Sequence, residues 1–281
     1  MNKNKQNIRI GILGVNGRMG RILVQACIHA GRNITVAIGR IGSACIGKSL
    51  ADFLNLESTD HHLFNVMIND DLSAVIQDCD VVIDFTTAEA LATHITICHQ
   101  AKKPIIIGIT GLSEQLTEKI KIAAQEIAIV HSGNYSIGVN LSVDLVRIAA
   151  QLLSQNEYAQ AFEAEIIEAH HRHKIDAPSG TALMYADAIA QARQQQFADI
   201  AIYQRHGAVG ERHHQSIGLQ AIRGGDIVGE HSVFFFGNDE QIEIKHVANN
   251  RMNFAVGAVR AATWVSNQPC GLYDMNDVIK N

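Results

Sequence analysis

Residues 8–20 read Ile8-Arg9-Ile10-Gly11-Ile12-Leu13-Gly14-Val15-Asn16-Gly17-Arg18-Met19-Gly20, a short apolar run that leads into a glycine-rich loop. An apolar pattern at helical spacing follows and ends at Gly31, and residues 34–38 form a second β-branched run. Strand, loop, helix and strand within about 30 residues make up one βαβ unit. The stretch therefore predicts a parallel sheet in which the loop after the first strand leads directly into a helix.

The glycine loop itself suggests a ligand. Gly11, Gly14, Gly17 and Gly20 recur at every third position. Without Cβ atoms the backbone can turn sharply and approach a pyrophosphate, whose charge is met by N–H groups at the helix start. The spacing departs from the usual dinucleotide pattern G-x-G-x-x-G, so a tight turn without a ligand is the alternative. The position directly after the first strand favours dinucleotide binding.

The rest of the first half continues the alternation of strands and helices. Apolar strand candidates lie at 81–85, 105–108 and 127–130, with helical segments at 89–102 and 113–125 between them. Strands buried on both faces that alternate with helices are typical of a doubly wound parallel sheet. We therefore predict an N-terminal Rossmann-type α/β domain.

The pattern changes after about residue 137. A helix over 139–154 and another that begins near Ser179 accompany strands that alternate as if half exposed to solvent, at 163–169, 216–222, 231–236 and 241–244. This predicts a second α+β domain built on a mixed or antiparallel sheet. Because termini often lie together, we expect a final helix at 254–265 to return to the first domain. The predicted domains are 1–136 with 251–281, and 137–250.

The end of the second strand bears on the choice of cofactor. A carboxylate about 20 residues beyond the loop would bind the ribose 2′-hydroxyl of NAD, but this chain reads Ile38-Gly39-Arg40. An arginine can pair with a 2′-phosphate, so the sequence favours NADP, with an exposed Arg40 that binds nothing as the alternative. Two later loops, Gly108-Ile109-Thr110-Gly111 and Ser132-Gly133-Asn134-Tyr135, follow strands at the edge where ligands bind such sheets. They are candidates for contact with the nicotinamide half of the cofactor, with ordinary turns as the alternative.

Composition narrows the classes of protein. The net charge of -5 without a basic block argues against nucleic acid or an anionic membrane as main partner. The five cysteines are isolated, which suggests thiols in a reducing compartment. The polar N-terminus is neither a signal peptide nor a membrane span. We therefore expect a cytoplasmic protein.

The densest polar run is Glu168-Ala169-His170-His171-Arg172-His173-Lys174-Ile175-Asp176-Ala177-Pro178-Ser179-Gly180-Thr181-Ala182. Its histidines and acids could hold a metal, but helical H-x-x-x-H spacing and a cysteine partner are missing. A solvated basic loop is a second alternative. The favoured interpretation is an anion-binding and proton-transfer site, because Pro178-Ser179-Gly180-Thr181 is typical of a helix start that receives a carboxylate, and His and Lys beside it are proton donors.

The same fifteen-residue run resembles the signature of the 4-hydroxy-tetrahydrodipicolinate reductase (dihydrodipicolinate reductase) family. The resemblance covers essentially the whole chain and includes six further blocks, at residues 14–20, 84–86, 108–111, 134–140, 223–231 and 271–275. It implies that a Rossmann-type domain is joined to a domain for substrate binding and tetramer formation. It also implies that NAD(P)H reduces a cyclic dicarboxylate imine with loss of water, in the diaminopimelate route to lysine.

The resemblance also implies roles for individual residues. His170 would be the proton donor or acceptor and Lys174 a second donor, while His171, Gly180 and Thr181 would bind the substrate carboxylates. No metal is implied. Many members carry an acid just before the arginine, where this chain has Gly39, which agrees with a preference for NADPH over NADH. The implied cofactor contacts are Gly14, Val15, Asn16, Gly17, Arg18, Met19, Arg40, Gly108, Ile109, Thr110, Ser132, Gly133, Asn134 and Tyr135.

Two other functions remain open at this stage. One is a related two-domain dehydrogenase that acts on another small acid or aldehyde, such as a semialdehyde or homoserine, which would require a nucleophilic cysteine or a different lysine and aspartate site. The other is a nucleotide-sensing protein that kept the fold and lost catalysis. The presence of both His170 and Lys174 argues against the second.

Overall fold

A computed structural model describes residues 8–56, 61–155 and 162–280 of the 281-residue chain. The chain folds into two compact units. Unit 1 consists of Met1–Ile137 with Arg251–Asn281, and unit 2 of Gly138–Asn250.

Unit 1 is built on a seven-stranded sheet in which every pairing is parallel. The spatial order is β3-β2-β1-β4-β5-β6-β12, with strand order reversing at β1 and β4. This is the doubly wound arrangement that the sequence predicts. The strands are β1 Arg9–Leu13, β2 Asn33–Ile38, β3 Ile68–Asn69, β4 Val81–Asp84, β5 Ile105–Ile107, β6 Ala128–His131 and β12 Gly271–Tyr273.

The connections of unit 1 are helices whose starts are set by side-chain caps. Thr87 caps α4 by accepting from the N–H of Ala90, and Ser113 caps α5 by accepting from the N–H of Leu116. The helices are α1 Arg18–His29, α2 Leu50–Leu54, α3 Leu72–Val75, α4 Ala88–Gln100, α5 Glu114–Ala124, α9 Met252–Val265 and α10 Met275–Lys280, with 3-10 turns at His61–Asn65 and Ile76–Asp78.

Two apolar cores cover the sheet of unit 1. One holds α1 and α9 together with β1 residues such as Ile10 and Ile12, and the other holds α4 and α5 together with Val82 and Ile105. Central strand β4 is buried at all four positions, which explains the apolar run Val81-Val82-Ile83 that precedes Asp84. The sheet is thus enclosed on both faces, and its ligand-accessible positions lie at strand ends.

Unit 2 contains a five-stranded mixed sheet in the order β11-β10-β7-β9-β8. β10 is antiparallel to both β7 and β11, whereas β9 is parallel to β7 and β8. The predicted mixed α+β unit is therefore confirmed. Its elements are α6 Ile137–Ser154, β7 Glu163–His170, α7 Gly180–Ala192, α8 Phe197–Ile200, β8 Ala201–Ile202, β9 Ile217–Arg223, β10 Gly229–Phe236 and β11 Gln241–Ala248.

Helix α6 is long and apolar enough to cross a membrane by length and composition, with a mean hydropathy of 1.3 over 18 residues. It nevertheless carries Asp144 and Arg147 near its centre, joined by an ion pair of 2.8 Å, and charges at such depth in a bilayer are costly. Core helices of water-soluble proteins satisfy the same length and composition test. The helix alone therefore does not indicate a membrane protein.

Candidate active site

Four loops of unit 1 carry the predicted cofactor residues, and each follows a strand of the parallel sheet. The glycine loop follows β1, Arg40 follows β2, Gly108–Thr110 follow β5, and Ser132–Tyr135 follow β6. Because the strands are parallel, their carboxyl ends lie along one edge of the sheet. This is the edge at which open α/β sheets bind ligands.

The glycine loop is shaped to expose the N-terminus of α1. The N–H groups of Gly14 and Val15 both donate to the carbonyl of Ile38, at 2.7 and 3.0 Å, which ties the loop to the end of β2. Helix α1 has no side-chain cap and no acid in its first turn. A helix start that lacks both is suited to an external anion.

Close packing fixes the glycine at position 20. A Cβ atom there would overlap the carbonyl oxygen of Gly14 and lie 2.7 Å from Cα of Val15. Only a residue without a side chain lets α1 approach the loop in this way. Gly20 is therefore required for the shape of the loop, whether or not it touches a ligand.

Arg40 extends from the segment beside the glycine loop. Its backbone N–H donates to Oδ1 of Asn16 at 3.3 Å, and Nδ2 of Asn16 donates to Oγ of Ser43 at 3.4 Å. The Arg40 side chain is exposed, and within the described ranges no carboxylate lies at ion-pair distance from it. The guanidinium is thus available to an anionic ligand.

Three predicted cofactor residues with apolar or aromatic side chains bury them. Val15, Ile109 and Tyr135 lie in the apolar cores. The Tyr135 hydroxyl is placed to donate to the carbonyls of Ile107 at 2.8 Å and Val130 at 2.9 Å, and burial raises its pKa above the ordinary value. These residues can therefore reach a cofactor only through their main chain.

The turn after β4 packs against two of these cofactor loops, although the sequence pattern assigns it no role. The buried Asp84 carboxylate accepts hydrogen bonds from the backbone and hydroxyl of Thr86, at 2.9 and 2.6 Å, and contacts Nδ1 of His94 at 2.7 Å. The methyl of Thr86 packs against Gly14 and the ring of Phe85 lies against Gly108. Asp84 thus fixes a turn that packs against two of the cofactor loops.

Unit 2 brings its ionisable residues together at the carboxyl end of β7. Glu168 is only 1% exposed, and its carboxylate receives both terminal nitrogens of Arg223 from the end of β9, each at 2.7 Å. It also contacts Nδ1 of His170 at 2.6 Å and accepts from the backbone N–H of Ser179 at 3.1 Å. A buried carboxylate with this many partners is held rigidly.

These contacts set the charges of the site. Burial raises the pKa of Glu168, but Arg223 and His170 outweigh the burial and hold it below its ordinary value. Burial lowers the pKa of His170 below 6.5, the nearby Lys174 and Arg223 lower it further, and Glu168 partly opposes them. With Nδ1 engaged by the carboxylate, Nε2 is the nitrogen of His170 that gains and loses a proton.

The loop after β7 places the remaining predicted residues. Nζ of Lys174 donates to both carboxylate oxygens of Asp176, each at 2.8 Å. His171 lies at the start of this loop, and Gly180 and Thr181 form the first turn of α7. The cap of α7 is Ser179, whose hydroxyl accepts from the N–H of Ala182 at 3.2 Å. The predicted helix start is therefore present.

The described part of the chain bears on both metal binding and cysteine chemistry. Residues 8–56, 61–155 and 162–280 contain no cluster of three metal-ligating side chains. Cys27, Cys45, Cys79 and Cys98 are buried, and burial raises the pKa of Cys27 to about 12 and that of Cys79 to about 11. A nucleophilic thiol needs a lowered pKa, so these two are unsuited to the semialdehyde chemistry left open above.

Sequence reasoning misses the residues that hold this site together. Glu168 and Ser179 lie inside the quoted signature and could have been found from their neighbours. Arg223 and His231 come from strands β9 and β10, more distant in the chain, and only the sheet register brings them to Glu168. In that register Arg223 is opposite His170 and His231 is opposite Glu168.

A doubly wound dinucleotide-type sheet, together with a second unit that carries a histidine–carboxylate pair, is typical of two-domain oxidoreductases. The family profiles described as "Dihydrodipicolinate reductase, N-terminus" and "Dihydrodipicolinate reductase, C-terminus" match residues 8–135 and 138–279. The chain therefore belongs to the dihydrodipicolinate reductase family.

Relatives and solved structures agree with this assignment. The chain is 46% identical over 271 residues to a 4-hydroxy-tetrahydrodipicolinate reductase of Acinetobacter baumannii, covering 96% of each chain. It is 44% identical over 278 residues to that of Psychrobacter arcticus, covering 99% of this chain and 96% of the relative. A dipicolinate-bound dihydrodipicolinate reductase from Paenisporosarcina sp. TG-14 superposes with a TM-score of 0.71 at 25% identity, covering 96% and 99%.

Proposed function

We propose that the chain reduces 4-hydroxy-tetrahydrodipicolinate to tetrahydrodipicolinate in the diaminopimelate route of lysine biosynthesis, with NADPH preferred to NADH. The substrate hydroxyl leaves as water, one hydride enters the ring and one proton is taken up. The observation that carries the proposal is the buried Glu168 carboxylate, which holds His170 beside Lys174 and the start of α7. The names of the relatives identify the substrate.

A pyridine nucleotide fits the residues present in unit 1. The uncapped N-terminus of α1 would take the pyrophosphate, and the exposed Arg40 would take the 2′-phosphate of NADPH. The loops at 108–110 and 132–135 are proposed for the remainder of the cofactor, through the main chain of Ile109 and Tyr135. When bound, the reduced nicotinamide would supply the hydride.

Unit 2 is proposed to bind the two substrate carboxylates. The first turn of α7, at Gly180 and Thr181, presents backbone N–H groups with the favourable end of the helix dipole, and His171 adds a side-chain donor. The related enzyme from Paenisporosarcina is described as dipicolinate-bound, and dipicolinate is itself a planar ring with two carboxylates. Fixing both carboxylates would orient the substrate ring for reaction.

Proton delivery is assigned to His170 and Lys174. The Nε2 atom of His170 can donate a proton to the reduced ring, because Glu168 occupies Nδ1. The ammonium of Lys174 is the second donor and is held by Asp176 until a substrate carboxylate or ring atom competes for it. Glu168 and Arg223 do not take part in the transfer; they hold His170 in one orientation.

Replacing Glu168 by glutamine is expected to shift the pH dependence of turnover. Glu168 raises the pKa of His170 against the effect of burial, so its removal lowers that pKa further. If the protonated form of His170 donates, kcat falls as pH rises through its pKa, and this limb moves to lower pH in Glu168→Gln. Profiles of kcat against pH measure the shift. Glu230→Gln, a half-exposed carboxylate on β10, is the matched control and leaves the limb in place; an unmoved limb in Glu168→Gln contradicts the assignment.

Replacing Arg40 by alanine tests the cofactor preference. We expect the KM for NADPH to rise by about 10- to 100-fold, because a hydrogen bond to a charged group contributes roughly 1.5–3 kcal/mol. The KM for NADH lacks this contact and should change little, which makes NADH the internal control. Steady-state oxidation of each cofactor at saturating substrate gives both values. Equal effects on NADPH and NADH would show that Arg40 does not recognise the 2′-phosphate.

A substrate panel tests the reaction itself. NADPH oxidation is measured with freshly generated 4-hydroxy-tetrahydrodipicolinate and with aspartate semialdehyde, and NADP+ reduction is measured with homoserine, in separate reactions. The proposal expects turnover with the cyclic imine alone. Turnover with the semialdehyde or with homoserine would assign the chain to another dehydrogenase reaction, and NADPH binding without any turnover would indicate a nucleotide-sensing protein.

We further propose that the chain forms a homotetramer through unit 2 and works in the cytoplasm. The face of the unit 2 sheet opposite α7 exposes Ile167, Ile222 and Val247, and such an apolar face is suited to burial between subunits. The described cysteines are all free thiols, as expected in a reducing compartment. Sedimentation velocity at assay concentrations measures the assembly, and a monomer would contradict it.

A further inference from the structure

His231 is a buried histidine for which the proposed reaction gives no role. It lies on β10 in register with Glu168 of β7 and is 4% exposed. Its ring lies edge-on to the ring of His170, with centroids 5.1 Å apart, and 6.0 Å from the ring of Tyr185. A polar side chain buried this deeply directly beside the proposed proton donor requires an explanation.

The contact that involves His231 leads to the start of α7. Its Nε2 atom lies 2.8 Å from Oγ of Ser179. That oxygen already accepts the N–H of Ala182, and Ser179 is itself only 2% exposed. A buried hydroxyl needs an acceptor for its own hydrogen, and Nε2 of His231 is the acceptor within reach.

This hydrogen bond requires one form of the imidazole. Burial lowers the pKa of His231 to about 3, with the neighbouring His170 acting in the same direction, so the ring is neutral in the working pH range. With Nε2 accepting, the proton is on Nδ1, which among the described residues has no hydrogen-bond partner. Leaving a buried donor unpaired lowers the stability of the fold. The tautomer with Nδ1 unpaired is nevertheless the one in which Nε2 accepts from Ser179, the cap of α7.

We propose that His231 is a positioning residue for substrate binding: by accepting the hydroxyl hydrogen of Ser179 it fixes the cap and first turn of α7, where Gly180 and Thr181 bind a substrate carboxylate. The inference rests on the proposed function for the identity of that ligand. Ser179 also donates its backbone N–H to Glu168. The same residue therefore links the carboxylate-binding turn to the carboxylate that orients His170.

The rings of His170 and His231 both lie close to the backbone of Gly229. A Cβ atom at Gly229, the first residue of β10, would lie 3.0 Å from Nε2 of His170 and 3.8 Å from Cε1 of His231. Both rings thus pack over the start of β10. His231 is the inner member of this pair, nearer to α7, and His170 is the outer one.

The test is a double-mutant cycle with His231→Leu and Ser179→Ala. Each single change removes the same hydrogen bond, so we expect each to raise the KM for substrate and the Kd for dipicolinate by about 3- to 10-fold. The KM for NADPH should stay within about twofold. Ser179→Ala also removes the hydrogen bond to Ala182, so the double variant should be little worse than Ser179→Ala alone, because His231 acts through Ser179.

A conservative variant of His231 distinguishes the loss of its hydrogen bond to Ser179 from a change in the packing of its side chain. His231→Gln places an amide oxygen near the position of Nε2 and is expected to recover most of the substrate affinity lost in His231→Leu. Glu230→Gln on the same strand serves as control. Additive effects of the two single changes, equal losses for dipicolinate and NADPH, or a glutamine variant as weak as the leucine variant would each overturn the proposal.

Calorimetric measurement of dipicolinate binding tests the positioning role of His231 independently of whether the protein catalyses the proposed reaction. If the unaltered protein binds dipicolinate in a way that depends on His231 but does not oxidise NADPH with the cyclic imine, the proposed function fails and the positioning role stands. If turnover is present and the cycle is additive, the positioning role fails and the proposed function stands. Should His231→Leu not fold, Ser179→Ala and His231→Gln still decide between these outcomes.

Discussion

Replacing His170 by glutamine or Lys174 by alanine is expected to lower kcat by about 10²- to 10⁴-fold, the usual contribution of a positioned proton donor. Glutamine keeps the size and a hydrogen-bond donor at position 170 but cannot release a proton. The KM for NADPH should change little, because both residues belong to unit 2 and the proposed cofactor loops to unit 1. Stopped-flow and steady-state oxidation of NADPH measure both quantities.

Two substitutions in the same unit serve as controls for this prediction. His173→Gln changes an exposed histidine of the same loop, and Lys245→Ala changes a half-exposed lysine on β11. Both should keep nearly full turnover. If His170→Gln and Lys174→Ala also kept near-normal kcat with an unchanged pH profile, the proton would come from elsewhere.

Replacing Gly20 by alanine is the second large effect we expect. The new Cβ would overlap the backbone of Gly14 and Val15, so α1 or the glycine loop must move. Overpacking of this kind costs roughly 1–3 kcal/mol of unfolding free energy, or more where backbone is involved. A displacement near 1 Å at a binding loop can cost on the order of 100-fold, and the Kd for NADPH should rise by that order.

Gly31→Ala is the matched control for Gly20→Ala, because a Cβ at position 31 meets no atom within 4 Å. It introduces strain only through its φ of 60°, which costs about 1–2 kcal/mol. Thermal unfolding and fluorescence titration with NADPH separate the two effects. A Gly20→Ala variant with wild-type affinity would mean that the glycine loop does not form the pyrophosphate site.

The sequence predicts the long elements well because their signals are local. β5 and the first three residues of β4 are continuous apolar runs, and Ser113 and Ser179 mark helix starts that the structure contains. Strands β3 (Ile68-Asn69) and β12 (Gly271-Leu272-Tyr273) are not predicted, since neither is a continuous apolar run. They are strands only because β2 and β6 offer free edges.

The residues of the candidate site also divide into those that a sequence pattern predicts and those that it does not. His170, Lys174, Gly180 and Thr181 come from one segment, so a linear pattern can name them together. Arg223 and His231 reach Glu168 through strand register, which depends on the pairing of distant segments. The buried side chains of Val15, Ile109 and Tyr135 also could not be distinguished from ligand contacts by position in a loop, because burial is a property of the folded chain.

The stoichiometry of one reaction directly tests the proposed reduction of the cyclic imine with loss of water. Freshly generated 4-hydroxy-tetrahydrodipicolinate is mixed with the protein and limiting NADPH, and the product is identified by mass spectrometry. We expect one product molecule, lacking one oxygen atom relative to the substrate, for each NADPH oxidised. NADPH binding without oxidation in the presence of this substrate, or oxidation without that product, would contradict it.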